Sequence, residues 1–204
     1  MLGAPGSGKG TQAYKLSQKY KIPHISSGDL LRNNPNLTPE TKKIIDTGGI
    51  LSDEMIIEIV KNKLNEPSTK RGWILDGFPR TLNQAKALEE LSPKSPLVIY
   101  LQVDDDEIKK RLSLRRTCAD CGAIFHLITH KPQEEGICDL CGGKLIQRKD
   151  DSPQVVEHRL KVYQEYTSPL INFYKTNGNL ITIDSRGDKT VDEIFNLIIA
   201  KITH

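Results

Sequence analysis

The run Met1-Leu2-Gly3-Ala4-Pro5-Gly6-Ser7-Gly8-Lys9-Gly10-Thr11 constrains this chain more than any other segment. Gly3, Gly6 and Gly8 admit backbone conformations that a Cβ would forbid, so several N–H groups of one short loop can face one anion. The residues from Gly10 to Leu16 read as the first turns of a helix, whose N-terminus favours phosphate. Lys9 adds a mobile positive charge. This is the logic of a P-loop, with one departure. The general pattern puts Ser or Thr directly after the lysine, whereas here Gly10 intervenes and the hydroxyl arrives at Thr11. A glycine-rich loop alone is as readily an ordinary turn; the Gly-Lys-Gly-Thr spacing decides for phosphate. Gly6, Ser7, Gly8, Lys9, Gly10 and Thr11 are therefore candidate phosphate ligands.

A phosphate loop needs a strand behind it and a helix after it, and the rest of the chain supplies that alternation. Trp73-Ile74-Leu75, Leu97 to Leu101 and Leu180 to Ile183 read as buried strands. Helical spacing follows Thr81 (Leu82, Ala85, Leu88, Leu91) and the acidic cap Asp104-Asp105-Asp106 (Ile108, Leu112), covers Val155 to Tyr166, and returns from Val191 to Ile202. Strand–helix alternation predicts an α/β fold with a central parallel sheet between two helical layers, and ligands at the carboxyl ends of the strands. Gly3 and Asp76 both follow strand ends. Only Met1 and Leu2 precede the loop, against the about five or six residues of a usual strand. The first strand is therefore expected to be clipped here or to begin upstream.

Bulk composition excludes several classes. The 204 residues are 37% apolar and 27% charged, as for a soluble globular chain. No stretch approaches the ~20 apolar residues of a membrane span, and no secretory signal opens the chain, so a cytoplasmic protein is expected. The net charge of +3 is small and the basic residues are dispersed, which argues against nucleic acid as a partner.

All four cysteines fall in two C-x-x-C pairs, Cys118/Cys121 and Cys138/Cys141, sixteen residues apart, each followed by glycine. Two such knuckles can face each other to give a tetrahedral four-thiolate zinc site. Two disulfides or four buried thiols are the competing readings. A reducing compartment disfavours the first, and the paired spacing disfavours the second. A redox or catalytic role is disfavoured because four sulfur ligands leave no open position. His126 and His130 lie between the knuckles and could replace a thiolate, though surface placement is the simpler reading. Residues of about 114–151 thus form a small module too short to bury much core alone, which accounts for a metal staple.

Further segments complete the pattern: Ser26-Ser27-Gly28-Asp29-Leu30-Leu31-Arg32, then Asp76-Gly77-Phe78-Pro79-Arg80-Thr81 with Gln84, then Arg111 with Arg115-Arg116, Gln147 to Asp151, and Arg159. With the phosphate loop and the cysteine module, the chain resembles the adenylate kinases with a zinc-binding lid, over essentially its whole length and in order. The resemblance implies a P-loop core (1–25, 52–113 and 152–204), an AMP-binding flap (26–51) and a zinc-stapled lid (114–151). It implies that Gly6 to Thr11 wrap the ATP phosphates, with Lys9 on the transferred group. Ser27, Arg32, Gly49, Ile50, Leu51, Gly77, Phe78, Pro79, Arg80 and Gln84 resemble the AMP site, with Arg32 and Arg80 on the α-phosphate and Gln84 on the adenine edge. Arg115, Arg148 and Arg159 resemble arginines that close on the phosphates, and Arg111 one that stacks on the donor adenine. Ile124 and Phe125 match lid positions near ATP, Lys189 a backbone contact to that adenine, and Asp76 a carboxylate that holds Mg²⁺ through water. Arg111 and Arg115, four apart, are expected on one helical face.

Two departures stand out. Asn33 to Pro39 is shorter and richer in proline than the family leads one to expect, which bears on the flap. Phe125 stands where many relatives carry tyrosine. The implied reaction is transfer from Mg·ATP to AMP giving two ADP, by a monomer, with structural Zn²⁺ and without nucleic acid or membrane. The alternatives are a GTP:AMP phosphotransferase of the same family and a zinc-ribbon regulatory protein that binds nucleotide without turnover.

Overall fold

The computed structural model describes residues 1–92 and 95–203. In chain order the elements are α1 (Lys9–Tyr20), β1 (His24–Ser26), α2 (Ser27–Arg32), α3 (Pro39–Asp46), α4 (Asp53–Leu64), β2 (Ile74–Asp76), α5 (Leu82–Leu91), β3 (Val98–Gln102), α6 (Asp105–Ser113), β4 (Arg115–Cys118), β5 (Ile124–His126), β6 (Leu145–Ile146), α7 (Pro153–Val162), α8 (Pro169–Thr176), β7 (Leu180–Asp184) and α9 (Val191–Ile202).

Two parallel strand pairs, β1 with β2 and β3 with β7, form the platform. The segment Met1–Leu2 lies between them. Leu2 N–H donates to Ile99 O at 2.8 Å, Leu101 N–H donates to Leu2 O at 2.9 Å, and the Met1 amine donates to Leu75 O at 2.8 Å. The central position of the platform is thus held by two residues that start just below the phosphate loop.

Helices cover both faces, as the strand–helix alternation predicts. On one face Leu16 of α1 and Ile194 and Ile198 of α9 pack on Ile99, Leu101 and Ile183. On the other, Ala85 of α5 and Leu170 and Tyr174 of α8 pack on Leu2 and Val98. Beneath the phosphate loop, Ile108 and Leu112 of α6 meet Val156 and Leu160 of α7 around Ala4. A fourth cluster joins Ile25, Leu31, Leu51, Ile56, Val60, Leu75, Phe78 and Leu88, and so ties α2 and α4 to the edge pair β1–β2. The cysteine-rich stretch makes its own three-stranded antiparallel sheet in the order β5-β4-β6. Its core is Cys118, Phe125, Cys138 and Leu145.

Two local expectations need correction. The helix read from Val155 to Tyr166 is α-helical only to Val162, and Tyr163–Thr167 then form a π-helical turn. Ser168 N–H there reaches back five residues to Tyr163 O, just ahead of Pro169, which has no N–H to continue the ladder. Arg111 and Arg115 do not share a helical face: α6 ends at Ser113, and Arg115 opens β4 opposite His126. The apolar spacing of Ile108 and Leu112 has no successor after Leu114, so nothing holds a further helical turn against the core.

Candidate functional site

The phosphate loop is built as its residue types require. Gly6 and Gly8 sit at φ of 77° and 94°. A Cβ on Gly6 would stand 2.8 Å from Leu112 Cγ, so α6 lies directly under the loop. Gly8 caps α1 in the left-handed conformation with no side-chain cap bond, which leaves the first-turn N–H groups for an anion. Lys9 Nζ lies back along the loop and donates to Gly3 O and Ala4 O, each at 2.8 Å. Ser7 is 1% exposed and its Oγ has no partner among the described residues.

Around the loop the structure gathers most of the predicted arginines, each held by a carboxylate or carbonyl. Arg115 makes a bidentate pair with Asp151, whose side chain is fully buried. Arg159 reaches Asp150 Oδ2 at 3.0 Å and Asp151 Oδ1 at 3.4 Å. Arg148 Nε donates to Thr117 Oγ1 at 2.9 Å, and its far end lies 3.9 Å from Asp29. Asp29 also accepts from Arg32 at 2.6 Å. Arg80 Nε donates to Gly77 O at 2.9 Å, and Thr167 Oγ1 donates to Arg80 O at 2.9 Å.

Crowded cations out of water lower one another's proton affinity. Burial first, then neighbouring guanidinium groups, bring Arg148 and Arg159 down to about 10. Burial and the nearby Arg80, Arg159 and Arg115 bring Lys9 down to about 8, against the pull of Asp76. Burial opposes ionisation of Asp76, but His24, Lys9 and the terminal amine outweigh it and hold the carboxyl at about 2. All these groups are charged at neutral pH, and the cleft is an anion trap.

Two adjoining cavities occupy this cleft. One is lined by the loop residues Gly3, Pro5 and Lys9 with Pro79, Tyr163 and Thr167. The other is lined by Ser27, Arg32, Gly49, Ile50, Leu51 and Gln84. Gly48, Gly77, Arg80 and Arg159 border both. Most of the expected AMP-site residues thus meet around the second cavity; Pro79 lines the first, Phe78 turns its side chain into the core at 2% exposure, and Arg148 stands outside both linings. Segments 26–51, 114–151 and 152–204 touch beside the cavities. Lys149 lies 3.6 Å from Asp46, and a Cβ on Gly48 would strike Arg159 Cγ at 2.3 Å.

The expected donor-base residues are less gathered. Arg111 pairs with Glu107 and donates to Ser185 O at 2.8 Å, beside the loop that carries Lys189. Lys189 Nζ donates to Arg186 O at 2.7 Å. Ile124 Cδ1 lies over α1, 3.1 Å from where a Gly10 Cβ would be. Phe125 points the other way, buried in the lid core and stacked on His130 at 5.3 Å. Asp76 Oδ2 faces Gly10 and lies 3.8 Å from His24 Nε2.

The four cysteine sulfurs lie within 4.8 Å of one another. Cys118 and Cys141 are 3.4 Å apart and Cys121 and Cys138 3.6 Å, too long for disulfides and near the about 3.8 Å edge of a tetrahedron of Zn–S bonds. The two knuckles repeat one geometry. Gly122 N–H donates to Cys118 O as Gly142 N–H does to Cys138 O, and Cys118 and Cys138 N–H donate to Ala123 O and Gly143 O. The donor set fits zinc. His126 and His130 stand outside the cluster; His126 Nδ1 accepts from the Ile128 and Thr129 N–H groups.

Asp29, Asp150 and Asp151 had no role in the sequence reading. Their adjacency to Arg32 and Arg148 in the motifs was the available signal.

A glycine-rich loop with its lysine at the start of a helix, beside a cavity walled by arginines, is the arrangement of a P-loop phosphotransferase. The family model described as adenylate kinase matches residues 1–179. The adenylate kinase of Caldicellulosiruptor bescii is 50% identical over 89% of this chain and 88% of its own length. Those of Clostridium tetani and Archaeoglobus fulgidus are 48% and 45% identical, over 97% and 98% of this chain and 94% of each relative. The chain belongs to the adenylate kinase family.

Asp151→Asn removes the charge that balances Arg115 and Arg159. Breaking such a buried pair costs about 3 kcal/mol or more in the ligand-free chain. The loss should be smaller with nucleotide bound, where phosphates supply the missing anion. Thermal unfolding with and without saturating ADP measures both, and an equal loss in the two states contradicts the anion-trap reading.

Proposed function

We propose that this chain transfers the γ-phosphoryl group of Mg·ATP to AMP, giving two ADP. The observation that carries this reading is the second cavity, which adjoins the cavity at the phosphate loop and shares Gly48, Gly77, Arg80 and Arg159 with it. Two phosphate groups of different nucleotides can meet there.

An oxygen of the AMP α-phosphate attacks the γ-phosphorus in line. The new O–P bond forms as the bond from the γ-phosphorus to the β,γ-bridging oxygen breaks, and that oxygen leaves on ADP. The second phosphate pKa is about 6, so the acceptor is already ionised near neutral pH and no general base is needed. Lys9, Arg115, Arg148 and Arg159 neutralise charge on the moving group from several sides, and Arg32 and Arg80 hold the acceptor phosphate. Exchange of Asp150 and Asp151 for phosphate oxygens supplies the arginines with anions in the loaded state. Gly6 to Thr11 hold the donor phosphates, Arg111, Ile124 and the backbone at Phe125 and Lys189 the donor base, and Gln84 the acceptor base. Asp76 is suited to hold the water shell of the Mg²⁺ that accompanies ATP. Contacts of the lid (114–151) with the flap (26–51) exclude water, the competing acceptor, and their opening limits turnover. The four cysteines hold one structural Zn²⁺ that stiffens the lid without touching substrate. The reading is of a cytoplasmic monomer; among the described residues no helix is long and apolar enough to cross a membrane.

ADP formation assayed with AMP, UMP, CMP or no acceptor tests the reaction. ADP should appear with AMP alone, and ADP without an acceptor contradicts the water-excluding closure. GTP beside ATP as donor tests the alternative donor.

The pH profile follows from Lys9. The free chain needs this cation for phosphate, and its pKa is depressed to about 8. kcat/KM for Mg·ATP should therefore fall as pH rises through about 8. kcat reports the loaded enzyme, where phosphate raises the lysine pKa, and should hold to higher pH. A kcat/KM profile flat well beyond that pH overturns this assignment.

Cys118→Ser should lower the melting temperature by about 5 °C or more while turnover well below the transition changes less than about twofold. Metal analysis should give one zinc per chain before the substitution. Parallel loss of stability and low-temperature turnover places the metal in the chemistry instead.

A further inference from the structure

Gln84 is 1% exposed, and its amide is bonded on both sides by groups that admit one orientation. Arg80 N–H donates to Gln84 Oε1 at 2.7 Å. Gln84 Nε2 donates to Asp53 Oδ1 at 2.8 Å, an oxygen that also accepts from Thr81 Oγ1 at 2.9 Å. A backbone N–H only donates, and an ionised carboxylate only accepts. Turning the amide over would set its oxygen against the Asp53 carboxylate and its NH₂ against the Arg80 N–H. Both bonds would be lost and two repulsions made in a buried place.

The lock is built from three elements. Ser52 caps α4, with its side chain accepting from Met55 N–H, which puts Asp53 in the first turn of that helix. Thr81 caps α5 and accepts from Gln84 N–H, which puts Gln84 one turn into that one. Asp53 thus reaches across from α4 to the amide on α5, while Arg80 holds the oxygen from the loop before it.

We propose that Asp53 is the positioning residue that makes the acceptor cavity selective for a 6-aminopurine over a 6-oxopurine. The proposal rests on the reading that Gln84 meets the acceptor base. The bonds to Arg80 and Asp53 use one lone pair of Oε1 and one N–H of Nε2, and leave one of each. Adenine presents an amino donor beside the N1 acceptor, which matches that pair. Hypoxanthine and guanine present a carbonyl acceptor beside an N1–H donor, the reverse pattern. A free glutamine amide would satisfy either base by turning over and would select neither. Gln84 selects because Asp53, with the Arg80 N–H, forbids the turn. A site built on hydrogen bonds rejects a mismatched partner strongly, because its buried groups are left unpaired.

The test compares AMP with IMP, which differs at this edge and scarcely in size, as acceptors for Mg·ATP. In Asp53→Asn the new side chain can accept from Nε2 or donate to Oε1, so the Arg80 N–H alone still opposes the turn. The AMP-to-IMP ratio of kcat/KM should fall by about tenfold or more, mainly through a gain with IMP, while KM for ATP stays within about twofold. A general structural loss would lower both acceptors together and leave the ratio alone. A ratio within threefold of the parent in folded Asp53→Asn, with Gln84→Ala collapsing it, overturns the role of Asp53 and keeps that of Gln84. A ratio unmoved by Gln84→Ala overturns the reading beneath the proposal and the proposal with it. If Asp53→Asn does not fold, side-chain amide exchange by NMR on the unaltered, nucleotide-free chain decides. One slowly exchanging Gln84 Nε2 proton supports the lock, and two fast ones overturn it.

Discussion

The site depends on one electrostatic problem: several cations must wait, partly out of water, for anions that arrive with the substrates. Like charges this close destabilise a folded chain unless something neutralises them. The chain does so with its own acids. Asp151 takes Arg115, Asp150 shares Arg159 with it, and Asp29 joins Arg32 to the far end of Arg148. Lys9 has no such carboxylate bond and turns to the Gly3 and Ala4 carbonyls instead. These are provisional partners, and in the proposed reaction phosphate oxygens compete for each of them. The carboxylates come from α2 (Asp29) and from the turn before α7 (Asp150, Asp151), so in the proposed reaction binding and closure would draw on the same set of contacts.

The fold answers a second demand, that the phosphate loop be rigid. Packing from below supplies part of this. Leu112 fills the space under Gly6, and the Ile108–Leu160 cluster supports Ala4. Main-chain bonds to Ile99, Leu101 and Leu75 then pin Met1 and Leu2 to strands on both sides. A loop held in this way keeps its N–H groups aimed.

How far each feature was legible in the sequence follows from the range of the forces that make it. The phosphate loop is local: its glycines, its lysine and the helix after it lie within a dozen residues, so residue types alone announce it. The knuckles are local too, and two of them at one spacing imply their meeting. Strands of three residues such as β1 carry too little periodicity to read, and β6, at two, carries less. The turn from α6 into β4 was misread because arginines at helical spacing look alike whether or not a core continues beneath them. The acids that hold the arginines were invisible for a different reason. Asp151 is thirty-six positions from Arg115, and in sequence it is indistinguishable from a solvated surface aspartate. Asp53 and Gln84, thirty-one apart, are the same case.

Strand β4 shows how a remote metal site can matter to phosphate chemistry without touching it. Its first residue, Arg115, enters the phosphate cleft, and its last, Cys118, belongs to the sulfur cluster. Two residues lie between them, and the three steps of extended chain span about 10 Å. Thr117, between them, accepts from Arg148, so two arginines of the cleft are referenced to one short strand. That strand is paired on both sides, to β5 and β6, and among the described residues its buried core is the small cluster around Phe125 and the cysteines. A core of this size gives the strand little stability of its own. Four sulfurs drawn to one ion would keep the end of the strand folded, while the bonds to Asp151 and Thr117 orient the two arginines. The aromatic ring at position 125 serves that same end here: it is spent on the lid core, and the contact it leaves toward the phosphate loop belongs to Ile124.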